Sequence, residues 1–243
     1  MRAAQPTDFN RAGLLDAYRI EDRTDPRLRV NFIASLDGAA TRDGLSGGLN
    51  NDDDKLVFDT LRSLTDVILV GAGTVRAEGY GGIRLDAAAA AWRVAHGLPP
   101  QPRIAVVSGR LDLEAGHPLF TEAATRPLVI THAGSPAHKL AELEAVSDVL
   151  ICGTATIDLP LALRELSARG LRQVLCEGGP SLFGALLVAD AVDELCLSLS
   201  PVLEAGAAGR IARSAAAASR PMRLGHVLTA GDMLFLRYVR PWS

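Results

Sequence analysis

Val174-Leu-Cys-Glu-Gly-Gly-Pro-Ser-Leu-Phe-Gly-Ala-Leu-Leu187 decides the fold. An apolar run of strand character ends at Glu177, turns through Gly178 and Gly179, and enters a helix at Pro180. Proline suits a first helical position because its missing N–H needs no partner there. Two glycines remove the Cβ atoms that would keep a ligand away from the backbone. The unpaired N–H groups and positive dipole end of such a helix favour a phosphate. The segment therefore reads as a nucleotide cradle or as a tight strand-to-helix connection. Either reading makes it one unit of an alternating β/α chain.

Outward from that unit the alternation continues. Strand-like runs fall at 30–35, 67–70, 104–108, 127–131, 148–152 and 173–176. Helix-like segments lie near 11–19, 52–63, 74–78, 86–96, 136–145, 159–169 and 180–189. Short apolar strands separated by helices predict a mostly parallel sheet covered on both faces. The end of the chain breaks the rule: runs at 194–200, 224–228 and 233–239 have no helix between them, and Thr229-Ala-Gly-Asp232 suits a hairpin turn. The expectation is an α/β fold with an antiparallel C-terminal hairpin. Residues 1–29 read as a leader with one short helix, and 30–243 as one domain. Two excursions interrupt it, an Ala-rich one at 86–101 and a Gly/Ala-rich, mobile one at 204–220.

At 243 residues with a net charge of −3, nucleic acid and anionic membranes are not the expected partners. The first residues lack a signal-peptide core, and no apolar run approaches a membrane span, so the cytoplasm is the expected compartment. Cys152, Cys176 and Cys196 sit singly in apolar runs and read as reduced core residues. The histidines form no ligand spacing, and no metal is expected.

A second strand-glycine-helix junction, Gly71-Ala-Gly-Thr74, follows the run at 67–70. Thr74 can cap the helix or offer its hydroxyl to a phosphate. Two such turns in one sheet favour a dinucleotide lying across the strand ends. Asp37-Gly38 is either a turn or the start of a long loop, running to Gly48, able to close over a nicotinamide and exclude water. Asn51-Asp-Asp-Asp54 opens a helix. Asp54 shares a stripe with Val57, Leu61 and Leu64, so it lies at the end of the inward face. A carboxylate there needs a partner, and the amino and ring N–H edge of a pyrimidine or pterin supplies one. Arg84 is a candidate for a substrate phosphate, against the alternative of a solvated arginine. Ser108 and Arg110, after the third run, are candidates for the 2′-phosphate of NADP.

Taken together, these motifs resemble the pyrimidine reductases of riboflavin biosynthesis, which share the dihydrofolate-reductase-like fold. The resemblance rests on Ala34-Ser-Leu-Asp-Gly38, Leu61-Arg62, Asp66-Val-Ile-Leu-Val-Gly-Ala-Gly-Thr-Val75, Glu177-Gly-Gly-Pro-Ser181, and Val192-Asp-Glu-Leu195 through Ser200-Pro-Val-Leu203. It implies NADPH-dependent reduction of 5-amino-6-(5-phosphoribosylamino)uracil to its ribitylamino counterpart, with hydride delivered to C1′ of the ring-opened imine. It further implies that Ala34, Gly71, Thr74, Glu177, Gly178, Gly179, Pro180, Ser181 and Leu182 bind NADP, that Asp37, Asp54 and Arg84 face the substrate, and that the protein is a homodimer.

Three departures qualify the resemblance. The H-x-E and P-C-x-x-C zinc ligands of the deaminase domain that many relatives carry do not occur, so a reductase without deaminase is expected. Where relatives read Asp-x-Pro-x-Leu-x-x-Arg, this chain has Glu78-Gly-Tyr-Gly-Gly-Ile-Arg84. The acidic helix start around Asp54 resembles the substrate carboxylate of dihydrofolate reductase, which leaves a pterin-reducing activity as an alternative. A non-catalytic NADP-binding protein is the remaining one.

Overall fold

The computed structural model describes residues 8–241. Nine strands form one sheet in the order β5-β4-β3-β2-β6-β1-β7-β9-β8. The strands are β1 (Arg27–Ser35), β2 (Val67–Gly71), β3 (Arg103–Val107), β4 (Leu128–Thr131), β5 (Asp148–Ile151), β6 (Gln173–Cys176), β7 (Glu194–Ser200), β8 (Arg223–Ala230) and β9 (Met233–Val239). All pairings from β5 across to β7 are parallel. β9 pairs antiparallel with both β7 and β8. The expected α/β architecture with its antiparallel C-terminal hairpin is therefore the observed one, turned at Gly231-Asp232 with Gly231 at φ +53°.

Alternation along each strand builds the core on two faces. Leu28, Val30, Val67, Leu69, Ala105, Val174 and Cys176 pack with α7 (Leu159–Ala168) and α8 (Pro180–Val188) on one face. On the other, Ile33, Leu175 and Cys196 meet α1 (Arg11–Ala17) and α2 (Asp52–Leu64) through Leu14, Tyr18, Val57, Leu61 and Leu64. Beside that cluster, Val70, Ile104, Val106 and Val129 meet α3 (Ala72–Ala77), α5 (Pro118–Thr121) and α6 (Ala137–Glu144). A further helix, α4 (Ala87–Ala95), lies against α2. Its Arg93, fully buried, donates to the carbonyls of Ser63, Thr65 and Pro99 and so ties down the C-terminal end of α2.

Of the residues read as a leader, 1–7 lie outside the described residues, and the rest pack closely. Leu14 and Tyr18 are buried against α2, and β1 begins at Arg27. That early start includes Arg29, a charge inside the core. Glu194 of β7 pairs with it and with Arg237 of β9, the latter at 2.9 Å. Burial alone would raise the Glu194 pKa, but the two guanidiniums hold it down at about 2. The excursion at 204–220, expected to be mobile, is anchored at several points described below. Among the described residues no helix is long and apolar enough to cross a membrane.

Candidate active site

Because β1, β2, β3 and β6 run parallel, their C-terminal ends open on one edge, the edge where α/β sheets bind ligands. Two cavities lie there, of about 540 and about 510 Å³. They are separated by the two glycine junctions. Gly71 N–H donates to Gly178 O at 2.8 Å, and a Cβ on Gly71 would stand 3.5 Å from Gly179 N. A Cβ on Gly179 would come within 2.4 Å of the Thr74 hydroxyl oxygen. Glycine is required at 179, where the backbone meets that hydroxyl, whereas a Cβ at 71 would make only an ordinary contact. Gly178 has φ +108°, and the Gly178–Gly179 peptide is cis.

The smaller cavity takes Gly71, Ser108, Arg110, Ser181 and Leu182 of the expected residues. Neither Gly71, the N-cap of α3, nor Gly179, the N-cap of α8, caps its helix with a side chain. First-turn N–H groups at this groove thus have no capping side chain. Arg110 has no ion-pair or hydrogen-bond partner among the described residues. His132, at the end of β4, also lines this cavity and has a buried Nδ1 without a partner. The residues fit an adenosine diphosphate: a glycine floor, helix starts without a capping side chain, and an arginine without a partner among the described residues.

The larger cavity takes Thr74, Glu177, Gly179, Pro180, Asp54 and Arg84. Its roof is α2, which presents Asp54, Phe58 and Arg62 at successive turns. Asn51 caps that helix, its side chain accepting from Asp54 N–H at 2.9 Å, and so fixes the backbone from which Asp54 projects. Burial raises the Asp54 pKa, partly offset by a hydrogen bond with Ser198 of β7. Arg62 pairs with Glu177 through two hydrogen bonds of 2.7 Å, and Tyr80 donates to the same carboxylate at 2.7 Å. The Arg62 guanidinium also lies 4.1 Å from the centroid of the Phe58 ring. Burial would lower the Arg62 pKa, but Glu177 reverses the sign and the net shift is upward. Burial and the same carboxylate raise Tyr80. The Glu177 side chain, expected at the cofactor, is thus engaged by Arg62 and Tyr80.

The segment 78–84 forms the rim. Glu78 accepts from Ser46 N–H at 3.1 Å, joining this rim to the loop after β1. A Cβ on Gly82 would fall 2.3 Å from Glu122 O, so the backbone packing here admits only glycine. Arg84 faces the cavity with no ion-pair or hydrogen-bond partner among the described residues.

Three expected residues stand apart from both linings. Ala34 is buried within β1, and Gly178 forms the seam with its φ and its carbonyl. Asp37 lies outside the cavities because its carboxylate is occupied elsewhere. It accepts from the Ser35 hydroxyl and from the N–H groups of Glu204 and Ala205. The sequence reading gave no role to Arg62, Phe58, Tyr80 or Asn31, all of which line the larger cavity. The spacing of Asp54, Phe58 and Arg62, four residues apart on one helix, is the signal that would have found two of them.

The family model described as the RibD C-terminal domain matches residues 26–235. The 2,5-diamino-6-ribosylamino-4(3H)-pyrimidinone 5′-phosphate reductase of Archaeoglobus fulgidus is 29% identical over 182 residues, covering 74% of this chain and 83% of that one. The riboflavin biosynthesis protein RibD of Mycobacterium tuberculosis is 30% identical over 198 residues, covering 80% of this chain and 48% of that longer protein. The crystal structure of a pyrimidine reductase-like protein from Corynebacterium diphtheriae superposes with a TM-score of 0.84 at 27% identity, covering 95% of this chain and 99% of that one. The chain belongs to the RibD C-terminal domain family of pyrimidine reductases.

Proposed function

We propose that this protein reduces 5-amino-6-(5-phosphoribosylamino)uracil to its ribitylamino counterpart with NADPH, as a reductase of riboflavin biosynthesis acting without a deaminase domain. The observation that carries this reading is the pair of cavities meeting at the Gly71–Gly178–Gly179 seam, each with an unpaired arginine. Arg110 and Ser108 would take the adenosine 2′-phosphate, which is the basis for NADPH over NADH. Gly71, Thr74, Gly179, Pro180, Ser181 and Leu182 would hold the diphosphate and the nicotinamide end. When bound, the nicotinamide supplies the hydride.

The remaining work falls to the larger cavity. Asp54 would accept from the ring N–H edge of the pyrimidine, and Arg84 would bind the phosphate at the far end of the ribosyl chain. Arg62, held by Glu177 and Tyr80, would present a fixed cation to the substrate's oxygens. Together these contacts orient the substrate's C1′ against the seam, and the rim at 78–84 excludes water. A cytoplasmic homodimer is the form in which we expect the protein to act.

The buried Asp54 also favours a second substrate class, since a pterin offers a similar amino and ring N–H edge. Loss of NADPH absorbance, followed with the phosphoribosylaminopyrimidine and with dihydrofolate in parallel, separates the two. Turnover of the pyrimidine alone is expected. Turnover of dihydrofolate alone would move the protein to the second class, and NADPH binding without any turnover would make it a non-catalytic binder.

A further inference from the structure

We infer that Asp37 is a positioning residue for the cofactor, acting through residues 201–213, which form a strap across the outer side of the cleft. This inference rests on the reading of the cleft as an NADPH site. The strap leaves the sheet after β7 and is tied first to the loop after β1. Leu36 N–H donates to Val202 O at 2.9 Å, and the Asp37 carboxylate accepts from Glu204 N–H at 3.1 Å and Ala205 N–H at 2.7 Å. The Ser35 hydroxyl donates to the same carboxylate and receives Ala39 N–H at 2.8 Å. Arg42 pairs with Glu204 at 3.2 Å.

From that clamp the strap reaches both walls of the larger cavity. Ala40, which lines it, donates its N–H to Gly209 O at 2.9 Å. Pro180, which lines it from the other side, accepts from Arg213 N–H at 2.9 Å. The strap seats closely on α8: a Cβ on Gly184 would lie 2.0 Å from Arg213 O. It therefore joins the loop after β1 to the N-terminal turn of α8, the two elements between which the nicotinamide end of the cofactor would sit. Residues 203–210 are mostly exposed and bury little apolar surface, so polar anchors, and Asp37 above all, hold them in place. An acceptor-only carboxylate suits this role, since it can take several N–H and O–H donors at once.

Asp37→Ala in the full-length protein, with Asp37→Asn as the graded variant, tests the inference. Trypsin reads the strap directly, because Arg210 and Arg213 lie on it. Cleavage there follows the population of the opened strap. Asp37→Ala is expected to speed cleavage and to raise the NADPH dissociation constant, each by about tenfold, the factor for losing one charge-assisted hydrogen bond. The cofactor KM is expected to rise more than kcat falls, and Asp37→Asn, which keeps one acceptor oxygen for Ala205 N–H, to lie between. Gly184→Ala, which lifts the other end of the strap and leaves Asp37 intact, is expected to weaken NADPH in the same way. Faster cleavage with unchanged NADPH affinity would overturn the inference, leaving the strap a peripheral loop. Unchanged cleavage would overturn it by showing that Asp37 does not hold the strap. A wild-type protein that fails to bind NADPH would instead remove the cofactor reading itself.

Discussion

Glu177 and Arg62 meet across 115 residues of chain in a bidentate pair whose carboxylate side chain is 1% exposed. Arg62 comes from the roof of the cleft and Glu177 from the end of β6, so the pair fixes the roof over the glycine seam. Glu177→Gln keeps the shape and removes the charge, which frees the guanidinium to turn towards water. Substrate KM is expected to rise about tenfold or more, the scale of one charge-assisted hydrogen bond, with NADPH affinity much less affected. Tyr80→Phe leaves the bidentate pair in place and is expected to cost less. Steady-state kinetics in each ligand measure the split. An equal loss of both affinities would place Glu177 at the cofactor instead.

Asp54 is a charge held in place against its own burial. Its folded-state pKa lies above its unfolded value, so between the two the folded state binds more protons. Stability therefore falls as pH rises through that window, and at neutral pH the ionised carboxylate is a net burden. Asp54→Asn removes the burden and is expected to raise the melting temperature at neutral pH. The gain should vanish at acid pH, where the wild-type carboxyl is protonated. Melting curves at neutral and acid pH supply the measurement.

Glu194 behaves with the opposite sign. Its folded pKa of about 2 lies below the ordinary value of 4.5, so its stabilisation is complete above the unfolded pKa and is lost as pH falls towards 2. Glu194→Gln leaves Arg29 and Arg237 without their shared counter-charge inside the core. The expected cost is about 3–5 kcal/mol near neutral pH, with a shallower acid-unfolding arm than the wild type. Urea unfolding across that pH range measures both.

Arg110 lines the smaller cavity without an ion-pair partner among the described residues, and its prediction concerns choice of cofactor. Arg110→Ala is expected to raise the KM for NADPH about tenfold or more while leaving that for NADH nearly unchanged, since only one of them carries a 2′-phosphate. Equal effects on both would move the 2′-phosphate away from Arg110.

Much of this architecture is legible in the chain. The runs at 194–200 and 233–239 coincide with β7 and β9, and the hairpin turn is where Gly231 places it. Local periodicity carries such elements because each strand and helix has its own apolar face. Pairings across long sequence separations leave no local trace. Arg29 breaks the apolar pattern of β1, and the counter-charge that makes its burial tolerable, Glu194, lies 165 residues later. Asp37 reads as a turn residue from its own neighbours, and only the family resemblance turns it towards the substrate. Its partners are backbone N–H groups of the strap, and backbone groups carry no residue-type signal. Asp54 was legible for the complementary reason: its place on the α2 stripe alone requires a partner for a buried carboxylate.

The central claim is that one cleft holds two ligands in halves that meet at the glycine seam, with Asp54 belonging to the substrate half alone. Equilibrium titration of Asp54→Ala with the phosphoribosylaminopyrimidine and, separately, with NADPH tests it most directly. The account predicts that pyrimidine affinity falls by about tenfold or more while NADPH affinity stays close to wild type. A parallel fall in both affinities would contradict it, and would make Asp54 a structural residue of α2.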